Sequence, residues 1–248
     1  NGEGLQHQDG HSHILAGTVP NCATYDPTYG YELAVIIQHG LEEMYVKMLP
    51  KYYYITIMNE NYQQPAMPDG CEEGIIKGMY LLKQGAKKTS KKVVQLLGSG
   101  TILREVIAAA EILKEDYGID SDIWSVPSFN ELRRDGMKTT RWNLLHPDEK
   151  PRVSYVESCL GKAKGPVVAS TDYMKNYADQ IREYVPGTYR VLGTDGFGRS
   201  DSRERLRNFF EVDRYFVTVA ALSALAEDNI IETKLVTEAL KKFNINPE

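Results

Sequence analysis

The sequence predicts an α/β fold with a mostly parallel sheet and helices on both faces. Three observations carry this. From about Lys92 onward, short β-rich runs alternate with runs of helical period, the signature of strands joined by covering helices. The helical runs have recognisable ends: Gly118 stops one, and Ser128 with Glu131 three residues on forms a capping-box pattern at the start of the next. The composition is that of a globular chain, with 248 residues, 42% hydrophobic and 25% charged.

Residues 1–28 are rich in Gly, His, Pro and Asn and predict loop with brief strands. In "YGYELAVIIQHGLEEMYVKML" the apolar residues Leu33, Ile36, Ile37, Leu41 and Met44 fall on one side of a helix. "YYYIT" predicts a short buried strand. Residues 59–91, with "NENYQQPAMPDG" and "KQGAKKTSKK", predict an interdomain linker. Then come a strand in "VVQLLGSG", a helix in "ILREVIAAAEILKEDYG", a strand in "SDIWSVP" and a helix beginning at "SFNELRRDG". A strand in "GPVVAST", a helix from Tyr173, a strand in "TYRVLGTDG" and helices from about Ser202 to Phe243 complete the chain. The expected division is 1–58 as the C-terminal part of one domain, 59–91 as linker, and 92–248 as a second domain.

The formal net charge of -5 argues against nucleic acid as the main partner. No apolar run approaches the roughly 20 residues needed to cross a bilayer, so no membrane partner is expected. Three scattered cysteines, Cys22, Cys71 and Cys159, read as reduced thiols in a cytoplasmic protein, not as a zinc site.

Three stretches could carry chemistry. "HQDGHSH" gathers His7, His11 and His13, and imidazole suits acid–base work and metal ligation. Asp9-Gly10 is expected to bend the chain between them, and no further ligand-rich spacing supports a metal site. A polar loop with hydrogen-bonded histidines is the plainer alternative. "LGSGTILRE" could aim amide N–H groups at an anion near Ser99, but a tight strand–helix turn is the better reading. "LGTDGFGRSDSRERLR" is the most basic stretch, with an expected capping box from Asp201 to Glu204. Arg199 and Arg203 there are either anion ligands at the end of a parallel strand or solvated arginines of a capped helix.

Together "NGEGLQHQDGHSH", "TYDPTYGYE", "YYYIT", "NENYQQPAMPDG", "LLGSGTILREV", "RWNLLHP", "VVASTDYMK" and "YRVLGTDGFGRSDSRE" run in an order that resembles the homodimeric bacterial decarboxylating component of the pyruvate dehydrogenase complex. The resemblance covers essentially the whole chain. It implies a three-layer, transketolase-like C-terminal domain preceded by the tail of a pyrimidine-binding α/β domain. It implies a thiamine-diphosphate- and Mg2+-dependent parent that decarboxylates pyruvate and reductively acetylates the lipoyl group of the acetyltransferase core. The implied partners are a second copy, lipoyl domains, the dihydrolipoyl acetyltransferase core and pyruvate. His7 and His13 match active-site positions of that family and are the implied catalytic residues; His11 has no such support. The cofactor's diphosphate site and activating glutamate are implied to lie upstream of Asn1, which then is not a native start, and no cofactor or metal is expected to bind this piece by itself. The alternative is that the piece alone is a non-catalytic dimerisation or regulatory-ligand module.

Overall fold

The computed structural model describes residues 7–87 and 89–247, so the expectation about Asn1 lies outside the described residues. The chain runs α1 (Ser12–Gly17), β1 (Cys22–Tyr25), α2 (Gly30–Leu41), β2 (Tyr52–Ile55), α3 (Glu72–Lys77), β3 (Tyr80–Lys83), β4 (Val93–Gly98), α4 (Leu103–Tyr117) and β5 (Asp120–Ser125). It continues through α5 (Phe129–Leu145), α6 (Tyr155–Leu160), β6 (Val167–Ser170), α7 (Lys175–Asp179), β7 (Tyr189–Leu192), α8 (Arg203–Phe209), α9 (Arg214–Glu227) and α10 (Thr233–Lys242).

The main sheet has the order β3-β5-β4-β6-β7, and only the edge strand β3 is antiparallel. Strands β4 and β6 are buried along their whole length, as a sheet covered on both faces requires. One face packs Leu97, Val167 and Ala169 against Phe129, Leu132, Val156 and Tyr177 of α5, α6 and α7. The other packs Leu96, Ile123 and Val168 against Val106, Leu113, Ala221 and Leu225 of α4 and α9. The expected three-layer α/β arrangement is thus the observed one.

Strand order reverses between β4 and β6: the chain leaves β4 for β5 on one side and β6 for β7 on the other. Ligands of open α/β sheets gather at the carboxyl ends of the strands at such a reversal. Here the N-terminal segment covers that edge. Its parallel pair β1-β2 is a separate sheet, packed with α2 and α3 around Ala23, Tyr25, Ile36 and Ile75. Asp26 N donates to Pro127 O (2.7 Å), and Ser128 Oγ donates to Thr24 O (2.6 Å). Glu32, fully buried in the first turn of α2, accepts from the amides of Thr28 and Tyr29, from Tyr80 Oη of β3 (2.7 Å) and from Ser125 Oγ of β5.

Several local expectations differ. Residues 12–17 are helical, because Asp9 accepts from both Ser12 N (3.0 Å) and Ser12 Oγ, closing the first turn. On α2 the buried line is Glu32, Ile36 and Gly40, while Ile37 and Leu41 are exposed; a π-turn at Glu42–Val46 extends it. β2 is half-exposed, since it is an edge of a two-stranded sheet. The segment read as linker contains α3 and β3, and β3 pairs with β5, so the main sheet begins before Lys92. The helix expected from Tyr173 begins at Lys175. Ser202, not Asp201, caps α8, accepting from Arg205 N (3.4 Å). Helix α6 has a full capping box from Ser154 and Glu157, a signal that stands in "SYVE".

Removing the Glu32 carboxylate strands two buried amides and two buried hydroxyls at once. Glu32→Ala is therefore expected to lower stability by about 3 kcal/mol, read as a shifted urea midpoint. An unchanged midpoint would show that these donors find other partners.

Candidate functional site

A cleft of about 450 Å³ opens where the N-terminal segment meets the carboxyl edge of the sheet. Four pieces of chain build it: the loop His7–Asp9, the stretch Met58–Glu60, the ends of β4 and β6 with Thr101 and Asp172, and the run from Thr194 through α8. The sheet reversal thus fixes the floor, and the N-terminal segment supplies one wall.

His7, Arg199 and Arg203 line this one cleft, though the first lies far from the others in sequence. Two contacts bring them together. Gln8 Nε2 donates to Gly196 O (3.2 Å), and Gly198 lies so close to Gln8 that a Cβ there would sit 2.5 Å from Gln8 Cβ. Gly198 is therefore required by close approach, and it places Arg199 beside the His7 loop. Gly10 O accepts from Met174 N (3.0 Å), tying the loop to the segment after β6.

The charges of the cleft are mostly spoken for. Glu60 meets Arg104 (2.7 Å), Arg207 (2.6 Å), Arg203 (3.7 Å) and Thr101 Oγ1 (3.0 Å). Burial opposes ionisation of Glu60, but the hydrogen bonds from Arg104 and Arg207 prevail and hold its carboxyl down to about 2. Arg207 also reaches Glu105 (3.4 Å), which Arg214 holds from the other side (2.9 Å). Arg203 donates to Asn59 Oδ1 (2.8 Å). Arg199 alone of these arginines has no ion-pair partner among the described residues; its guanidinium lies over Phe209, 4.2 Å from the ring centroid. It is the cation with spare capacity for an anionic ligand.

Ser99 and His13 are not brought to the cleft. Ser99 is fully buried and its Oγ donates to Thr171 Oγ1 (3.0 Å). The turn is a tight strand–helix connection, and the side that an anion could have taken is filled by the protein's own carboxylate. Gly100 N donates to Asp26 O (3.1 Å), and a Cβ on Gly100, which has φ +49°, would fall 2.4 Å from Asp26 Oδ2. His13 faces inward from α1 and is fully buried, stacked on Tyr177 (4.8 Å) and edge-on to Tyr173 (4.5 Å) and Tyr54 (5.4 Å). Its Nε2 shares a 3.0 Å hydrogen bond with Thr56 Oγ1, which donates to Asp26 Oδ1 (2.8 Å). Asp26, Thr101, Asp172 and Glu60 were not singled out from sequence. Asp172 follows directly on a predicted parallel strand, and that position was the readable signal. No group of three or more His, Cys, Asp or Glu among the described residues could hold a metal ion. Among the described residues no helix is long and apolar enough to cross a membrane.

Residues 78–213 match the family model described as transketolase-like TK C-terminal domain, and residues 1–65 match the pyruvate dehydrogenase E1 component middle domain. The whole chain is 67% identical to the pyruvate dehydrogenase E1 component of Pseudomonas aeruginosa and 60% identical to that of Escherichia coli. It spans 28% of the length of each of these curated relatives. Among solved structures, transketolase from Leishmania mexicana superposes with a TM-score of 0.65 at 16% identity, over 92% of this chain and 28% of that one. Transketolase from Campylobacter jejuni gives 0.62 at 18% identity, over 90% and 29%. At these identities the structural likeness speaks for the fold.

Burial depresses His13 to about 4 against the opposing charge of Asp9, and raises Asp26 to about 7 against the hydrogen bond from Thr56. Folding thus releases a proton from the histidine and takes one up on the aspartate. A depressed histidine favours stability at high pH and loses it as pH falls from about 6.5 towards 4; a raised aspartate favours it at low pH and loses it as pH rises from about 4 through 7. The two opposite dependences largely cancel between about pH 4.5 and 6.5. Asp26→Asn is expected to leave stability rising with pH across that window, and His13→Gln to leave it falling. Urea denaturation at several pH values checks this; parallel slopes in the two variants would refute it.

Proposed function

This chain belongs to the family of transketolase-like C-terminal domains, and on that premise we propose that it forms part of a pyruvate dehydrogenase (acetyl-transferring) E1 component. The whole protein decarboxylates pyruvate with thiamine diphosphate and Mg2+ and reductively acetylates a lipoyl group carried by the acetyltransferase core. It works as a homodimer in the bacterial cytoplasm. The observation that carries this reading is the meeting of His7 with Arg199 in one cleft, in a chain whose full length is 67% identical to such a component.

The cofactor supplies the carbanion chemistry of such an enzyme. This chain's residues bind and manage protons. Pyruvate brings a carboxylate and a ketone. The unpaired guanidinium of Arg199 suits the carboxylate, with Arg203 adding positive potential while it stays tied to Asn59 and Glu60. A ketone oxygen gaining negative charge would be stabilised by a hydrogen bond from an imidazole N–H, the role this reading gives His7, which lines the cleft. The same ring can return a proton to acceptor groups during acyl transfer. His13 acts as a positioning residue: locked among tyrosines, it fixes α1 and therefore the loop that presents His7.

Two results follow in the full-length protein containing this chain. Pyruvate decarboxylation, assayed with thiamine diphosphate, Mg2+ and a lipoyl-domain acceptor, is expected to proceed, and its absence would overturn the reading. His7→Ala is expected to lower turnover at least about tenfold while the circular dichroism spectrum and urea midpoint stay at wild-type values. Full turnover in that variant would remove His7 from the mechanism.

A further inference from the structure

The outer face of α5 becomes apolar towards its end. Phe129, Leu132 and Gly136 turn to the core, while Met137, Leu144 and Leu145 point away from it, Leu144 being 76% exposed. Met137 and Leu144 are two helical turns apart and so share one stripe. Arg141 lies between them and Lys138 beside it, both exposed.

The loop after the helix is clamped to it. Asn143 Nδ2 donates to Arg152 O (3.0 Å), and Asn143 Oδ1 accepts from Arg152 N (2.8 Å). His146 stacks on Trp142 with ring centroids 4.3 Å apart, and its Nδ1 donates to Trp142 O (2.8 Å). The Arg152 guanidinium also lies over Trp142, 3.8 Å from the ring centroid. Exposed Val153 follows directly. The apolar side chains thus stand in water on a backbone that is held in place. A contiguous patch of this kind marks a contact surface, and a rigid one loses little freedom on binding.

Charge selects the partner. The chain has a net charge of -5, yet Lys138, Arg141 and Lys150 are exposed here and form no ion pair among the described residues. The acids of the helix are committed, Glu131 to Arg134 (2.7 Å) and Asp135 to the amide of Tyr155 (2.6 Å). Asp148 and Glu149 of the loop are the acids left over, and they disfavour a continuous anionic surface such as a membrane. A second copy docked stripe to stripe would bring the cations of both stripes together. The partner that fits is a protein with carboxylates set around an apolar side chain.

Position selects its role. β5 ends at the carboxyl edge of the sheet, where the cleft opens, and α5 returns from there over 17 residues, a length of about 25 Å. Leu144 and Leu145 therefore lie towards the amino edge, away from the cleft. A group that must react cannot be held there, whereas a scaffold can be held there while the cleft stays open.

We propose that the end of α5 is the docking surface for a scaffold protein, and that this scaffold is the acetyltransferase core. The inference rests on the decarboxylation reading for the partner's identity and on α5 for the place.

The test uses the full-length protein and its Arg141→Glu, Leu144→Asp and Asp148→Lys variants. Binding to the assembled acetyltransferase core and to an isolated lipoyl domain is measured by sedimentation at two salt concentrations. Pyruvate decarboxylation is measured with a small soluble oxidant as acceptor. Arg141→Glu and Leu144→Asp should each weaken core binding at least about tenfold, with decarboxylation unchanged. Asp148→Lys should tighten it, and added salt should weaken it less steeply in Arg141→Glu than in wild type. Leu144 is exposed, so the urea midpoint should hold; if it shifts, the two charge variants decide. Core binding unchanged in Arg141→Glu and Leu144→Asp would overturn the proposal. So would a loss confined to the lipoyl domain, a changed oligomeric state in the variants, or binding to phosphatidylglycerol vesicles through these residues in place of the core. A wild type that decarboxylates pyruvate but does not bind the core would overturn the docking surface and leave the decarboxylation reading. A wild type that binds the core through α5 without decarboxylating pyruvate would refute that reading and leave the docking surface standing.

Discussion

The buried carboxylate of Glu32 is the constraint on which the rest of the molecule depends. A charge taken out of water is costly unless donors surround it, and the donors here come from three separate elements: the start of α2, β3 and β5. The N-terminal segment cannot lift off the sheet without stranding all of them. Tyr31 extends the cluster by sharing a 2.6 Å hydrogen bond with Tyr80. The need for such a pin is plain from β1-β2. Two parallel strands with one covering helix layer cannot support themselves, and Ile37 and Leu41 on the outer side of α2 bury little. This segment holds its shape by being fastened to the larger sheet.

Its seat on that sheet determines where a ligand can go. The reversal between β4 and β6 makes a crevice lined by small residues, and Asp26 already occupies it against Gly100, whose amide donates to the Asp26 carbonyl. Asp26 in turn reaches His13 through Thr56. An anion site that the glycine turn offers in isolation is therefore satisfied from within. The open space moves next door, to the line from Thr101 and Asp172 out to α8, where the His7 loop forms the facing wall.

Much of the main sheet was legible in the sequence because its signals are local. Gly118 stops α4 with φ +62°, and Ser128 caps α5 by accepting from Glu131 N (3.0 Å). What was illegible depends on contacts between distant residues. β3 reads as linker because its strand character comes from pairing with β5, not from its own four residues. Ser99 reads as an anion ligand because nothing near it in sequence announces Asp26. His7 and His13 look alike in a loop, yet the short helix begun by Asp9 and Ser12 sends one to the cleft and the other into the tyrosines. Arg199 and Arg203 also look alike, and Asn59 and Glu60, far upstream, distinguish them.

The distribution of charge in the cleft follows from the same geometry. Arg104, Arg203 and Arg207 surround Glu60, and Arg207 and Arg214 surround Glu105. This network joins the stretch after β2 to α4, α8 and α9, so its cations serve as mortar between elements. Half-buried pairs of this kind resist screening better than surface pairs, and truncating one partner leaves the others uncompensated. A ligand entering the cleft therefore meets few uncommitted groups. Arg199, leaning on Phe209, offers positive charge. A small anion fits that guanidinium better than a dication or a neutral apolar molecule does. The selectivity arises because structural ion pairs have consumed the remaining charges, leaving a cleft polar in lining but sparing in what it offers.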